Sequence, residues 1–159
     1  MTDGIPQFLH EFCLELAILI REDSWLPQPL HLITANRKWL QSALLSTYTT
    51  IEGLMNQIDT KAGRKNQVLF ALGRVEQETF RTNQIEEIVR KEFPLSTSGV
   101  KLDIAGILSR IEKQEQSPIR RTPKGDQYRF TSPKFKLCIR VMLAKGNERV
   151  DKLDFGDLF

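Results

Sequence analysis

Ten hydroxyl or cationic side chains between residues 97 and 129 are placed where a polyanion could be gripped. Thr97 and Ser98 lie in a Ser/Thr-rich turn, Lys101, Ser109, Arg110 and Lys113 follow at helical spacing, and Arg120, Arg121, Lys124 and Arg129 surround a Pro123-Lys124-Gly125-Asp126 turn. Lysine and arginine neutralise phosphates and release condensed counterions, so such a set would bind a nucleic acid in a strongly salt-dependent way. Hydroxyls and amides at a helix start add phosphate contacts without charge.

Other residue types that support chemistry are sparse. The two histidines are His10, in an apolar helical pattern and expected to be a satisfied core or interface side chain, and His31, beside a proline-rich linker and expected to be exposed. Cys13 and Cys138 sit far apart inside apolar patterns and read as buried free thiols; no Cys/His spacing matches a zinc site. Ser96-Thr97-Ser98 has no identifiable base, and Glu86-Glu87 and Asp23 read as ordinary surface charges. No catalytic residue, metal or cofactor is expected, and the chain does not read as an enzyme.

The elements that must position the basic residues follow from hydrophobic period. Residues 4–21 read as a largely buried helix, with Pro6 in its first turn and Phe8, Phe12, Leu16 and Leu19 on one face. Trp25-Leu26-Pro27-Gln28-Pro29 interrupts it. A second helix runs from an N-cap at Thr34 to about Ile58, its seam at Leu40, Ala43/Leu44, Tyr48, Ile51, Met55 and Ile58, and Trp25 and Trp39 are expected as core anchors. After the polar stretch 59–65 come a helix from Lys65 to Phe80, a short helix with a capping box between Asn83 and Glu86, and a third from Val100 to Gln114 with Ile104, Ile107, Leu108 and Ile111 inward. Pro94 and the turn Leu95–Gly99 separate the last two. The period then changes to that of strands. Ile119–Thr122 and Gln127–Thr131 form a β-hairpin with Tyr128 and Phe130 on one face and Arg129 on the other. Ser132-Pro133 opens a last helix carrying Phe135, Cys138, Ile139 and Met142.

Charge divides the chain in the same places. Residues 1–59 hold 3 basic and 7 acidic side chains (−4), residues 60–145 hold 18 and 9 (+9), and residues 146–159 hold 2 and 4 (−2), giving the net +3. The expected organisation is therefore a helical unit over 1–59, a basic domain over 60–145 and an acidic, aromatic tail over 146–159. No apolar run is longer than that of Leu16–Ile20, too short for the roughly 20 residues of a bilayer span. Asp3, Glu11 and Glu15 stand where a secretory signal needs positive charge. A cytoplasmic protein without a membrane partner is expected.

Helix, helix, turn, helix, two-stranded hairpin, helix is the order of a winged helix–turn–helix, in which two helices brace a third against a duplex groove and the hairpin reaches the backbone beside it. The fold class expected is mainly α with a small β-hairpin, an N-terminal helical unit packed on a winged helix–turn–helix. Tyr128-Arg129-Phe130-Thr131-Ser132-Pro133-Lys134-Phe135-Lys136-Leu137, running into Ile139-Arg140, resembles the end of the winged-helix domain in prokaryotic AAA+/STAND-type ATPases. Asp3-Gly4-Ile5-Pro6-Gln7-Phe8-Leu9-His10 resembles the entry to the helical lid of the same ATPases, so lid followed by winged helix is the order found in origin-recognition-like initiators. The resemblance implies a DNA-binding regulatory region from the C-terminal part of such an ATPase, or a standalone relic of one. Two departures stand beside it. The chain holds no Gly-x-x-x-x-Gly-Lys-Ser/Thr phosphate loop, and where such lids place a nucleotide-sensing arginine it has Gln7 and His10, its first arginine being Arg21.

Double-stranded DNA is the partner the charge favours. The alternative is a protein-interaction or homo-oligomerisation module whose winged helix is structural and whose contacts run through the helical seam or the tail residues Leu153, Phe155, Leu158 and Phe159.

Overall fold

The computed structural model describes residues 6–55 and 63–153. Over these the chain is mainly helical with two small antiparallel sheets, the fold class that the sequence predicts. Contacts divide the chain at 46/47, inside the second helix and upstream of the charge boundary at 59.

In the first unit, α1 (Pro6–Glu22) starts at a proline, which needs no intrahelical donor, and stops before Ser24 and Trp25, whose φ angles of 54° and 63° are left-handed. The second helix, α2 (Pro29–Leu54), begins at Pro29, so Thr34 lies inside it and is not its N-cap. His31 performs a capping role instead: its Nδ1 accepts the Gln28 N–H (3.1 Å) and its Nε2 lies 3.3 Å from Asp23. It is half-buried, not exposed. Trp39 is the core of the unit. Phe8 and Phe12 meet its ring edge-on at centroid distances of 5.8 and 6.4 Å, and its Nε1–H donates to Glu11. Of α1 only Phe8 is buried; Leu9, Leu14, His10 and Cys13 are exposed, which corrects the expected buried helix, core histidine and buried thiol. Trp25 is 68% exposed and anchors no core.

In the second unit the end of α2 contributes buried Thr47, Tyr48, Ile51 and Leu54; of the described seam positions Leu44, Tyr48 and Ile51 are buried and Met55 is half-buried. The central element is α3 (Arg64–Arg74), whose residues 67–73 are all buried. It ends at Val75, and Thr79–Phe80 forms strand β1, where the helical pattern had been expected to continue. Helix α4 (Thr82–Glu92) is capped by Gln84, whose Oε1 accepts the Arg81 N–H at 2.7 Å; Glu86 binds Arg90 instead of capping Asn83. A four-residue turn of helix, α5 (Pro94–Thr97), precedes α6 (Ile104–Glu112). Asp103 caps α6 by accepting the Gly106 N–H, so the helix starts four residues later than its apolar pattern suggests.

Strands β2 (Ile119–Arg121) and β3 (Tyr128–Phe130) form the expected hairpin, and β1 adds to its other side in the order β1-β3-β2. Phe80, Tyr128 and Phe130 cluster on the inner face of this sheet. Helix α7 (Pro133–Met142), N-capped by Ser132, packs along α3 where Gly73 allows close approach: a Cβ there would stand 2.7 Å from Ile139 Cγ2. Arg140 closes the seam by donating to the Gly73 carbonyl at 2.6 Å. The chain then forms a second hairpin across the expected domain end at 145: β4 (Leu143–Lys145) precedes it and β5 (Val150–Lys152) lies inside the segment expected to be tail.

Candidate nucleic-acid interface

Helix α6 turns Ile104, Ile107, Leu108 and Ile111 into the core, which leaves Ala105 and Arg110 exposed and Ser109 half-exposed, with Lys113 exposed at its C-cap. Arg110 is held by the capping carboxylate, Nη2 to Asp103 Oδ2 at 3.3 Å. Lys65, on α3, belongs to the same basic patch: burial and then the charge of Arg110 hold its ammonium below the ordinary lysine range. Lys101 is exposed but precedes the helix.

The turn that delivers α6 is fixed from behind by two arginines. Arg90 donates to the Thr97 carbonyl at 2.9 Å and the Val100 carbonyl at 3.1 Å, and Arg64 donates to the Ser96 carbonyl at 2.9 Å. Burial, then the nearby Arg90 charge, lowers the Arg64 pKa. Gln67, 1% exposed, spans the same region: its amide donates to Ser96 Oγ and to the Glu148 carbonyl in the β4–β5 turn. Glu148 in turn accepts the Ser96 N–H at 3.0 Å. Thr97 is buried, with its hydroxyl donating to the Phe93 carbonyl at 2.7 Å, so it shapes this turn and offers nothing to a ligand; Ser98 stays exposed.

The hairpin separates its arginines by face. The β2–β3 register sets Arg120 directly opposite Arg129, and the β1–β3 register sets Thr79 opposite Arg129 on the other side. Cross-strand partners share a face, so the two exposed arginines leave the sheet from opposed positions on its outer surface, and no acidic side chain among the described residues pairs with either. Arg121 points to the other face. Its backbone N–H and Nε both donate to Glu112 (3.1 and 3.0 Å), and its guanidinium lies 5.3 Å from the Tyr128 ring centre. The Glu112 hydrogen bond raises its pKa first, with Tyr128 adding to the effect. Arg121 therefore ties β2 to the last turn of α6 and is not a free cation. At the hairpin tip Gly125, at φ 74°, takes the left-handed turn position, Lys124 is exposed, and Asp126 faces Arg81 at 3.5 Å. An open polar groove lined by Gln77, Thr79, Arg81, Asn83, Gln84 and Gln127 runs beside β1.

Sequence reasoning missed Lys65 and Arg81. Lys65 shares no period with α6 and reaches it only through the packing of α3; Arg81 lies between a strand too short to show alternation and a helix. Of the tail residues, Leu153 is exposed and donates its N–H to the Met142 carbonyl at 2.8 Å, while Phe155, Leu158 and Phe159 lie outside the described residues. Among the described residues no three His, Cys, Asp or Glu side chains gather to hold a metal ion, and no helix is long and apolar enough to cross a membrane. Comparison with protein-family models, with curated proteins and with solved structures finds no match to this chain.

Proposed function

We propose that residues 47–158 form a winged-helix module that binds duplex DNA, with α6 entering the major groove and the β2–β3 hairpin resting on the adjacent backbone. The element order α3-β1-α4-α6-β2-β3, with β1 joining the hairpin beside β3, supports this reading. So do the exposed Arg110 and Lys113, and so does the resemblance of the Tyr128–Leu137 stretch to the winged-helix end of initiator ATPases. The observation that carries it is the opposed Arg120–Arg129 pair. Two like charges directly across a strand pair repel, and a phosphate bridging them converts that repulsion into two charge-assisted hydrogen bonds. The protein acts in this reading by binding, with no reaction and no cofactor.

The test is fluorescence anisotropy of a labelled duplex of about 20 base pairs titrated with the full chain across a salt series. Micromolar binding with a steep log–log slope is expected, since each neutralised phosphate contributes about 0.9 to that slope. Arg120→Ala/Arg129→Ala should weaken binding and flatten the slope while the circular dichroism stays unchanged. Absence of binding at low salt overturns the reading.

A further inference from the structure

The outer face of the β1-β3-β2 sheet leads into a groove whose cations are barely engaged. Thr79, Arg129 and Arg120 stand in one cross-strand row, about 10 Å long at ~4.8 Å between neighbouring strands. At the Thr79 end begins the open polar groove beside β1, which continues past Arg81 and Gln127 to a second pocket at the hairpin tip, lined by Thr122, Lys124 and Asp126. The amides of the groove are committed to one another: Gln84 donates to Gln77 at 2.8 Å and accepts the Arg81 N–H. Its charges are not. Among the described residues no carboxylate pairs with Lys124, and Arg81 has only Asp126, Nη2 to Oδ2 at 3.5 Å, with the two side chains 59% and 51% exposed. The Thr122 hydroxyl oxygen is covered yet has no hydrogen-bond partner, an orphaned polar atom beside two cations that a bound anion completes. Glu112 shows a committed carboxylate in the same hairpin: its two oxygens accept the Arg121 N–H and Nε, at 3.1 and 3.0 Å.

We propose that this groove takes the next phosphate of the DNA strand seated on Arg120 and Arg129, with Arg81 as its anchor and Lys124 beside it, and that Asp126 is a tethered stand-in which that phosphate displaces. The inference rests on the DNA-binding reading and names further residues of the same site. The row is too long for one phosphate to serve, so a strand laid along it from the arginine pair reaches Thr79 and then Arg81, two residues on. A screened pair between two exposed side chains is cheap to open. The incoming phosphate has two advantages over the carboxylate. It belongs to a dense line of charge and releases condensed counterions when it is neutralised, and a strand already held at Arg120 and Arg129 presents it at high effective concentration. Asp126 then turns to solvent. Its effect is to withhold affinity, since each binding event must first open the Arg81 pair.

A double-mutant cycle on the full chain, read by duplex anisotropy across a salt series, tests the exchange. Arg81→Ala should weaken binding and lower the log–log slope by about 0.9, the share of one phosphate; Arg81→Gln reads the same quantity should the alanine variant fail to fold. Asp126→Asn should tighten binding about two- to fivefold, the worth of an exposed ion pair. In Arg81→Ala/Asp126→Asn that gain should be lost, because no cation remains to be released. A gain of equal size in both backgrounds is a general effect of charge and overturns the proposal. So does Arg81→Ala with affinity and slope unchanged; if Arg120→Ala/Arg129→Ala still weakens binding in that case, the DNA reading stands without this groove. A natural chain that does not bind the duplex at low salt overturns the DNA reading, and this inference falls with it.

Discussion

The two units distribute their apolar side chains in opposite ways. From residue 63 to 153 the large aliphatic and aromatic residues are almost all covered: Phe80, Phe93, Leu108, Ile111 and Ile119 are sealed, and the exposed ones are Leu95 and Val100 at the turn before α6 and Leu153 after β5. From 6 to 46 the balance is reversed, with Leu9, Leu14, Trp25, Leu26, Leu30, Leu32, Ile33 and Leu45 each more than half exposed. Composition alone would assign both stretches the same drive to fold. What separates them is how the buried faces are distributed: α3 is wrapped by α4, α6 and α7, whereas among the described residues the aromatic contacts of α1 go to Trp39 of α2.

The largest test of that contrast is truncation of matched leucines. Leu108→Ala, in the sealed core, should destabilise by about 3 kcal/mol in urea unfolding, within the usual range for such a cavity. Leu14→Ala, at an exposed position, should leave urea stability within about 0.5 kcal/mol, as surface changes do. A similar loss at both positions would break the comparison.

Next in size is Gln67→Leu. It removes a buried amide that satisfies Ser96 and the Glu148 carbonyl, and leaving such partners unpaired costs about 1–3 kcal/mol. Hydrogen exchange should accelerate in residues 95–100 and 143–152 together, showing that the C-terminal hairpin and the turn before α6 open as one.

Arg120→Ala/Arg129→Ala against Arg121→Ala sharpens the division within the hairpin. The double variant should lower the salt slope of DNA binding by about 2, at about 0.9 per phosphate. Arg121→Ala should leave the slope nearly unchanged and lower the unfolding midpoint only slightly, because its guanidinium is already held by Glu112 in a solvent-screened pair.

The smallest effect is in acid. The Ser96 N–H holds the Glu148 carboxylate below its ordinary pKa. A group depressed in the folded state stabilises it above the ordinary carboxylate pKa, and that contribution fades as pH falls through the lowered value. Unfolding midpoints measured from neutral pH down through the carboxylate range should show this loss in the natural chain and not in Glu148→Gln.

Much of the second unit was legible from period and turn chemistry. Tyr128-Arg129-Phe130 announces a strand because each side chain is the type its face requires, and Ser132-Pro133 announces a helix start. The α6 boundary was misread because Val100 and Leu102 continue the apolar rhythm; Asp103, with Gly106 leaving room for its carboxylate, decides where the helix begins. Strand β1 has two residues and exists only through pairing with β3, so no local signal could carry it. The second hairpin did leave a signal, the Gly146-Asn147 turn after the apolar run Val141–Ala144, that the acidic composition of the tail obscured. In the first unit the apolar content of α1 was read as burial, although burial depends on neighbours that a helix does not encode. At the candidate site the cationic residue types were visible, but which of them are free is not: Arg121 and Arg120 are adjacent in sequence and differ only in the face that register assigns them.

Gly73 has a consequence for descent. Its missing side chain is the space that Ile139 Cγ2 occupies, and its carbonyl is the acceptor for Arg140. Positions 73 and 139 form one hereditary unit across 65 intervening residues. In any relative that carries a side chain at position 73, the residue at 139 must be trimmed to match, so the change at 139 has to come first.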